Sequence, residues 1–274
     1  MLNDHSIGIV GLGKIGGALA SGLARTSVVP AEQIIGSTRH AETAERARER
    51  YGIDVLTDNA SVVQGKDIVI LALKPQTTAE ALASIREHVT PEQLIITLSA
   101  AVSTTFIEDQ LGGEDRHFHV VRAMPNTPCL VGHGMTLLCA GRYAESRHLD
   151  LAKEIFSAIG RVAVTDDESH MDAATGLSGS GPAYGYIIIE ALAEGGVKAG
   201  LPRELATTLA AQAMLGAAAM VLETGEHPAK LKDNVTTPAG TTIDGLLALE
   251  EGGLRVSLIK AVHQAAERAK GLSA

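Results

Sequence analysis

A glycine-rich turn near the start of the chain constrains the fold more than any other feature of the sequence. An apolar run, Ile7–Val10, precedes it and a small-residue segment, 16–24, follows it, which predicts a buried strand, a tight turn and a helix. The first glycine of such a turn permits the bend, the second lets a pyrophosphate approach the backbone, and the third lets the helix lie close to the strand. We expect a dinucleotide site here, the alternative being a purely structural turn. Its residues are Gly11, Leu12, Gly13, Lys14, Ile15 and Gly16.

Strands alternate with helices through the first half of the chain. The clearest strand covers residues 67–73, and helices are predicted at 41–51 and 78–88. This alternation predicts an α/β fold, a Rossmann-type doubly wound parallel sheet whose ligands bind at the carboxyl ends of the strands. Further strands are predicted at residues 34–35, 94–98, 118–122 and 135–139.

After about residue 165 the sequence predicts helices alone. We therefore divide the chain into a dinucleotide-binding Rossmann domain, 1–165, and an all-α domain, 166–274. The helices of the second domain carry Ala and Gly along whole faces, more apolar surface than a unit of this size buries alone. We expect self-association through this domain. Its helices are predicted at 183–199, 203–223, 229–234 and 254–270.

Composition argues against several classes of function. The net charge of −9 argues against non-specific nucleic-acid binding, which needs a basic footprint. The longest apolar stretch, 209–222, is too short for a bilayer, which needs about 20 residues, so we expect a soluble, cytoplasmic protein without a membrane segment. Cys129 and Cys139 lack metal-ligand spacing, and we expect two reduced apolar side chains and no metal site.

The end of the second strand bears on the choice of cofactor. An acid there would bind the ribose 2′-hydroxyl of NAD, whereas this chain has Ser37, Thr38 and Arg39. Two hydroxyls and a guanidinium suit a 2′-phosphate, which Arg binds in a bidentate fashion. We predict NADPH, with NADH as the second choice and a solvated loop as the alternative.

Three later strand ends carry further candidates. Lys74 and Pro75 close the third long strand, where Lys74 is either a site residue or an ordinary exposed lysine. The small residues Ser99-Ala100-Ala101 permit either the close approach of a ring or tight packing. Arg122-Ala-Met-Pro-Asn-Thr-Pro128 predicts a rigid polar turn beside the nicotinamide, and Arg122 either faces a buried carboxylate or acts in the site.

Two stretches rich in glycine and hydroxyl groups precede helices in the second half of the chain. They cover residues 175–182 and 234–242. Backbone N–H groups and short hydroxyls at a helix start make an anion pocket without formal positive charge, which suits a small carboxylate. The alternative is an ordinary capped helix start, because Ser and Thr are favoured there.

Taken together, these segments resemble the pyrroline-5-carboxylate reductase family, whose members catalyse the last step of proline synthesis. The resemblance covers essentially the whole chain, in the same order, and the motifs of the second half are the specific ones. They are residues 11–16, 72–75, 122–128, 177–184 and 231–243. The resemblance implies NAD(P)H-dependent reduction of 1-pyrroline-5-carboxylate to L-proline. It also implies that the Rossmann domain binds NADP and that the helical domain binds substrate and interlocks with a second subunit in a dimer, with a decamer as a further assembly.

The resemblance also implies roles for individual residues. Ser37 and Asn59 would contact the adenosine side of the cofactor. Thr175 would hydrogen-bond the ring nitrogen, which makes it the catalytic candidate, and Glu168 would lie near the substrate ring. Leu73, Lys74 and Ala100 would line the nicotinamide ribose, Asn234 would reach the cofactor, and Thr237, Gly240, Thr241 and Thr242 would hold the substrate carboxylate.

This chain departs from the family pattern at two positions. Members commonly have Gly where this chain has Ala101, and a Gly pair where it has Ala239 and Gly240. If position 239 requires a positive φ, the alanine is strained there.

Two rival functions are consistent with parts of the sequence. A reductase of β-hydroxy acids on the same scaffold would use a lysine of the helical domain, but Lys198 and Lys230 lack the expected small-residue helix context. A module that senses NADPH without turnover would not need the second, hydroxyl-rich pocket. The proposed chemistry needs no metal, since a protonated cyclic imine is already electrophilic.

Overall fold

The computed structural model describes residues 2–112 and 116–273 of the chain. Every strand belongs to one eight-stranded sheet. The strands are β1 (Ile7–Val10), β2 (Ile34–Ser37), β3 (Asp54–Leu56), β4 (Ile68–Leu71), β5 (Leu94–Thr97), β6 (His119–Met124), β7 (Gly134–Ala140) and β8 (Gly160–Thr165). The helices of the sheet region are α1 (Lys14–Thr26), α2 (Ala41–Tyr51), α3 (Asn59–Val63), α4 (Pro75–Ile85), α5 (Thr104–Leu111), α6 (Ser146–Ser157) and α7 (His170–Ala174). A π-helical turn, Thr175–Gly179, follows α7, and the remaining helices are α8 (Gly181–Lys198), α9 (Arg203–Thr224), α10 (Pro228–Asn234), α11 (Thr241–Glu251) and α12 (Leu254–Ser273).

The order of the strands confirms the predicted doubly wound sheet. They lie in the order β3-β2-β1-β4-β5-β6-β7-β8, and all neighbours are parallel except the antiparallel pair β6 and β7. The chain order reverses at β1, which lies between β2 and β4. In open α/β sheets the crevice at such a reversal, outside the carboxyl ends of the strands, is where ligands bind. The glycine turn after β1 opens onto that crevice.

The central strands are buried on both faces because their side chains alternate between two apolar clusters. In β4, Ile68 and Ile70 belong to one cluster, whereas Val69 and Leu71 belong to the other. This is why the strand is continuously apolar instead of alternating with polar residues. The sheet is thereby a rigid base for the loops at its carboxyl edge.

Several elements differ from the sequence prediction. The strand predicted at 67–73 covers only Ile68–Leu71. Asp67 lies just before it, and its Oδ2 accepts hydrogen bonds from the backbone N and Oγ of Ser6, both at 2.7 Å. The helix predicted to begin at residue 78 begins at Pro75, a favoured first helical residue. Six elements were not predicted from the sequence: β3, β8, α3, α5, α6 and α7.

The described residues fall into two compact units, 1–180 with 264–274 and 181–263. The alternation of strands and helices ends with β8 at Thr165, and the domain boundary near residue 165 stays a prediction, whereas the compact units divide after Ser180. The reason is that the segment after β8 belongs to the first unit: Met171 is fully buried, and Asn126 Nδ2 donates to the Ser178 carbonyl at 2.9 Å. Residues 166–180 thus form part of the sheet unit.

The second unit buries very few of its apolar side chains. Its buried hydrophobic residues, within the described part of the chain, are three alanines, Ala193, Ala206 and Ala210. The 22-residue helix α9 is long and apolar enough to cross a membrane by length and composition, and 11% of its most apolar window is buried in this chain. The prediction that this stretch is too short is wrong, because the helix extends beyond the apolar run on both sides.

Candidate functional site

The three glycines of the first turn occupy the positions that a dinucleotide site requires. Gly11 has a φ of +97°, a conformation that L side chains rarely adopt. A Cβ on Gly16 would lie 2.3 Å from the Gly11 carbonyl oxygen, so only glycine lets α1 approach the strand end this closely. A Cβ on Gly13 would meet no described atom within 4 Å. That open space is what a pyrophosphate needs to reach the backbone, and the turn therefore fits a dinucleotide.

The N-terminus of α1 completes this cradle. No side chain of the described residues caps it at Gly13, so its first N–H groups are available to an anion. The helix has no acidic residue in its first turn, and Lys14 is its first residue. A diphosphate is favoured there by the free amides and by the positive end of the helix dipole.

A cleft of about 340 Å³ extends from the glycine turn along the ends of β2 and β3. Of the predicted cofactor residues, Gly11, Ser37, Thr38, Arg39, Asn59 and Leu73 line it. The other lining residues were not predicted from the sequence: Thr57, Asp58, Thr77, Glu80, Ala81 and Ser84. Thr57 and Asp58 follow β3, a three-residue strand too short to be predicted, which is why this side of the cleft was overlooked.

The Ser37 hydroxyl ties three parts of the cleft together. It donates to Asn59 Oδ1 at 2.7 Å and accepts from the Gly11 backbone N–H at 3.1 Å. Ser37 is buried, whereas Arg39 is exposed beside it. The hydroxyl thus holds the glycine turn in place, and the Arg39 guanidinium remains in solvent, where a phosphate can reach it.

Asp58 places a carboxylate in the same cleft. Its Oδ2 accepts from the backbone N of Ser61 at 2.9 Å and from Ser61 Oγ at 2.6 Å, which caps α3. These hydrogen bonds lower the pKa of Asp58. No acid directly follows β2 in the sequence, and this carboxylate comes instead from the segment after β3.

The turn after β4 is fixed by its backbone and by a neighbouring hydroxyl. Thr77 Oγ1 and Thr78 Oγ1 each donate to the Lys74 carbonyl at 3.1 Å. Ser99 Oγ donates to the Leu73 carbonyl at 3.0 Å and lies 2.8 Å from Thr78 Oγ1. The Lys74 side chain is exposed, so it is available to a ligand.

Arg122 is buried and pairs with a partly exposed carboxylate, which is close to the structural one of the two alternatives that its position allowed. Its Nη1 donates to Glu168 Oε1 at 3.0 Å, and the guanidinium is 6% exposed against 27% for the carboxylate. Glu168 Oε1 also accepts from the Thr104 backbone N at 2.9 Å, and Oε2 from Thr104 Oγ1 at 2.8 Å. The carboxylate predicted to lie near the substrate ring therefore already has three donors.

Thr175 opens the π-helical turn, an irregularity that is frequent at functional sites. Its Oγ1 donates to the Met171 carbonyl at 2.7 Å, and its own carbonyl accepts from Ser180 N at 2.9 Å. Because the hydroxyl proton is engaged, the lone pairs of Oγ1 offer an acceptor to a ligand.

The second hydroxyl-rich stretch forms a tight turn in the second unit. Gly240 N donates to the Thr237 carbonyl at 3.0 Å, Pro238 is the second residue and Ala239 the third, with a φ of 57°, which is the pattern of a type II turn. A Cβ on Gly240 would lie 2.3 Å from Thr237 Oγ1. Helix α11 begins at Thr241, and no described side chain caps it. The first N–H groups of this helix therefore have no side-chain partner at the turn.

Both alanines that replace family glycines adopt left-handed backbone conformations. Ala101 has a φ of 63° and Ala239 a φ of 57°. The strain expected at position 239 is therefore present, and position 101 shares it.

Neither cysteine is a reactive group. Cys129 and Cys139 are both free and buried, and burial together with the charge of Glu168 raises the pKa of Cys139 to about 11. Among residues 2–112 and 116–273, no cluster of three or more His, Cys, Asp or Glu side chains has the geometry of a metal site.

A doubly wound sheet with a glycine cradle at its switch point defines the class of nicotinamide-dependent oxidoreductases. The family model "Pyrroline-5-carboxylate reductase dimerisation" matches residues 168–272, and "NADP oxidoreductase coenzyme F420-dependent" matches 6–101. The chain is 45% identical to the pyrroline-5-carboxylate reductase of Methanosarcina acetivorans, over 99% of both chains.

Two solved structures agree with this assignment. A pyrroline-5-carboxylate reductase from Coxiella burnetii has a TM-score of 0.92 and 35% identity, covering 99% of this chain and all of its own. The pyrroline carboxylate reductase of Plasmodium falciparum, solved with NADP bound, has a TM-score of 0.87 and 31% identity, with both chains fully covered. The chain belongs to the pyrroline-5-carboxylate reductase family.

Proposed function

We propose that this chain reduces 1-pyrroline-5-carboxylate to L-proline with NADPH, the final step of proline synthesis. The observation that carries the proposal is the cleft that Gly11 of the glycine turn lines together with the Ser37–Arg39 segment. NADPH supplies the hydride when bound. The chain's own residues bind the dinucleotide, orient the imino acid and keep its nitrogen protonated.

The preference for NADPH depends on Arg39. The exposed guanidinium of Arg39 complements the negative charge of a 2′-phosphate. Thr38 lines the same cleft and adds a hydroxyl. Asp58 is the observation that favours NADH, since a carboxylate can bind a free ribose hydroxyl. We favour NADPH because the Asp58 carboxylate is already engaged in capping α3.

Substitutions at these two positions separate the cofactors. Arg39→Asp should lower the ratio of NADPH to NADH kcat/KM by about 10- to 100-fold, the loss of a charge-assisted pair. Asp58→Asn is the matched control and should change this ratio little. An unchanged ratio in Arg39→Asp, or a larger change in Asp58→Asn, would assign the preference elsewhere.

The remaining predicted cofactor residues take the roles that their positions suggest. Leu12, Lys14 and Ile15 belong to the turn and the start of α1, whose backbone N–H groups contact the pyrophosphate. Asn59 supports the adenosine side through Ser37, to which it is hydrogen-bonded. Leu73, Lys74 and Ala100 line the nicotinamide ribose, and Pro75 and Asn234 are further cofactor residues.

The turn before α11 holds the substrate carboxylate. Thr237, Thr241 and Thr242 supply hydroxyls, and Gly240 keeps the turn tight enough for the N–H groups at the start of the helix to converge. Thr242→Ala should raise the KM for the imino acid about tenfold, the loss of one hydrogen bond to a charged group. Thr208→Ala, an exposed hydroxyl on α9, is the control.

Thr175 keeps the imine in its reactive, protonated form. Its Oγ1 donates to Met171, so toward a ligand it accepts, and the iminium N–H is a donor. Thr175→Val, which removes the acceptor, should lower kcat, whereas Thr175→Ser should retain most of it. If Thr175→Val leaves kcat unchanged, another group stabilises the nitrogen.

A single assay distinguishes this function from its rivals. Protein mixed with NADPH and racemic pyrroline-5-carboxylate should consume NADPH and form proline. A reductase of β-hydroxy acids would act only on those substrates, and a sensor would bind NADPH without oxidising it. NADPH oxidation without proline as the product would also contradict the proposal.

The helical region mediates self-association, consistent with the match of residues 168–272 to a dimerisation model. We propose a dimer, with a decamer as a further assembly, and a soluble, cytoplasmic protein that binds neither nucleic acid nor a membrane. The net charge of −9 supports the exclusion of nucleic acid. The apolar surface of α9 is then covered by the second subunit instead of lipid.

A further inference from the structure

The segment that carries Thr175 is pinned to the sheet on both sides of that residue. Glu168 lies seven positions before Thr175 and is hydrogen-bonded to Arg122 of β6, and Ser178 lies three positions after it and is hydrogen-bonded to Asn126 of the loop that follows β6. Between these anchors lie α7 and the start of the π-helical turn. All of these groups belong to the first unit.

The first anchor is the Glu168 carboxylate. It accepts two hydrogen bonds from Thr104 and one from the buried Arg122, with distances of 2.8 to 3.0 Å. The Glu168 carbonyl accepts from Met171 N at 3.0 Å, which starts α7. Since Thr175 Oγ1 donates to Met171 O, the anchor and the threonine hydroxyl are joined through a single buried residue.

The second anchor is the Asn126 side chain, whose two polar atoms face different elements. Its Nδ2 donates to the Ser178 carbonyl at 2.9 Å, and its Oδ1 accepts from the Met135 backbone N at 2.8 Å. Asn126 thus fastens the π-helical turn to the start of β7. The rigid Pro-Asn-Thr-Pro turn after β6 thus holds one side-chain amide in contact with two separate segments of the backbone.

From this geometry we infer that Asn126 and Glu168 are positioning residues for the reaction, which hold the Thr175 hydroxyl in the orientation that accepts from the iminium. The inference rests on the proposed role of Thr175. It also reassigns Glu168, which the sequence places near the substrate ring, because the hydrogen bonds of its carboxylate are made to Thr104 and Arg122. Neither residue contacts substrate in this account.

Each anchor can be weakened without changing the size of a side chain. Asn126→Asp keeps the acceptor for Met135 but replaces the donor to Ser178 by an oxygen. Thr104→Val removes the hydroxyl donor to Glu168 Oε2 and keeps the backbone donor, while Thr104→Ser keeps both. We expect kcat to fall about tenfold or more in Asn126→Asp, since small misplacements of a reacting group are costly. The fall should be smaller in Thr104→Val and near zero in Thr104→Ser.

A double-mutant cycle with Thr175→Ala shows whether the anchors act through Thr175. Asn126→Asp should reduce kcat in the wild-type background and have almost no further effect in Thr175→Ala. Hydrogen exchange of the amides of residues 175–180 provides a measurement independent of turnover, and both Asn126→Asp and Thr104→Val should accelerate it.

Several results would overturn the inference. Losses that multiply in the double variant would mean that Asn126 acts independently of Thr175. A raised KM for the imino acid with unchanged kcat would mean that the anchors contact the substrate. Unchanged hydrogen exchange in Thr104→Val would show that the Thr104–Glu168 contact does not hold the segment. This result would count even if Asn126→Asp does not fold. By contrast, an unaffected kcat in Thr175→Ala alone would refute the proposed role of Thr175 while the exchange data still report on the anchors.

Discussion

The two compact units of this protein bury apolar surface in very different proportions. The sheet unit encloses two continuous clusters of Ile, Leu, Val and Phe side chains, many of them without solvent contact. The helical unit buries three alanines and leaves large side chains half exposed along α8, α9, α11 and α12. The sheet unit thus has a core within one chain, whereas the helical unit has an apolar surface that a second copy must cover.

This difference in burial also separates the proposed cofactor site from the proposed substrate site. The cleft proposed to bind the dinucleotide and the anchors of Thr175 lie in the unit whose core is complete. The turn proposed to hold the carboxylate lies in the unit that depends on self-association. We therefore expect cofactor binding to survive dissociation and substrate binding to be lost with it.

The largest effect is expected from a charge placed on the apolar face of the helical unit. Leu215→Glu would bury a carboxylate at an interface, at a cost of about 3–5 kcal/mol for an unpaired buried charge. In a two-fold symmetric dimer the substitution occurs twice, so the dissociation constant should rise on the order of a thousand-fold or more. Light scattering during gel filtration measures the change.

Leu130→Glu is the matched control for this prediction. Leu130 is 53% exposed, as is Leu215, but it belongs to the sheet unit. The control should remain oligomeric. Equal dissociation of both variants would contradict the difference between the units.

A cavity in the sheet core should have a large effect that does not depend on self-association. Ile70 in β4 is fully buried, and Ile70→Ala should cost about 2–5 kcal/mol. Hydrogen exchange of the β4 and β5 amides measures the loss locally. The loss should be the same at low and high protein concentration, and a loss that disappears at high concentration would show that this core is also shared.

A fall in pH should lower the stability of the sheet unit at α6. Burial, the stacked ring of His119 at 4.1 Å and the charge of Arg147 lower the pKa of His148 below 6.5, against the opposing effect of Glu145. His148 Nδ1 also accepts from Glu145 N at 2.9 Å, which requires that nitrogen to be unprotonated. The folded state therefore favours neutral imidazole, and its stability is expected to be full above pH 6.5 and to fall as the pH drops below it.

The loss should appear as faster exchange of the α6 amides below pH 6.5, and His148→Gln should flatten this pH dependence. A slope that persists unchanged in His148→Gln would assign it to another group.

The smallest effects are expected at the two left-handed alanines, one in each unit. Ala101→Gly and Ala239→Gly relieve positive φ angles worth roughly 1 kcal/mol each, partly offset by the greater freedom of glycine in the unfolded chain. Ala101→Gly should raise the stability of the sheet unit at any protein concentration. Ala239→Gly should slow exchange only near residues 237–242. Destabilisation by either substitution, seen in thermal melts, would contradict the assigned strain.

The sequence predicts the parts of the fold whose physical cause is local. The glycine turn follows from three residues at fixed spacing, and central strands such as β4 and β5 follow from uninterrupted apolar runs. Edge strands β3 and β8 are short or half exposed, so they carry no such run. Helices α5 and α6 begin beside polar loops, and their apolar faces are interrupted by charged residues.

The residues of the candidate site also divide into those that a local pattern predicts and those that it does not. Ser37, Thr38 and Arg39 were predicted because they follow one strand directly, and all three line the cleft. The three donors to Glu168 come from residues 46 and 64 positions away, a separation that no local pattern reveals. The only signal in the sequence was Arg122 in a buried strand, which needs a carboxylate somewhere in the fold.

A crystal structure of the protein with NADPH and L-proline tests the central claim most directly. The account predicts the 2′-phosphate against Arg39, the pyrophosphate against the N–H groups that follow Gly13, and the proline carboxylate on the turn of residues 237–242. It also predicts the proline nitrogen within hydrogen-bonding distance of Thr175 Oγ1. Proline bound elsewhere, with that turn far from any ligand, would contradict the account.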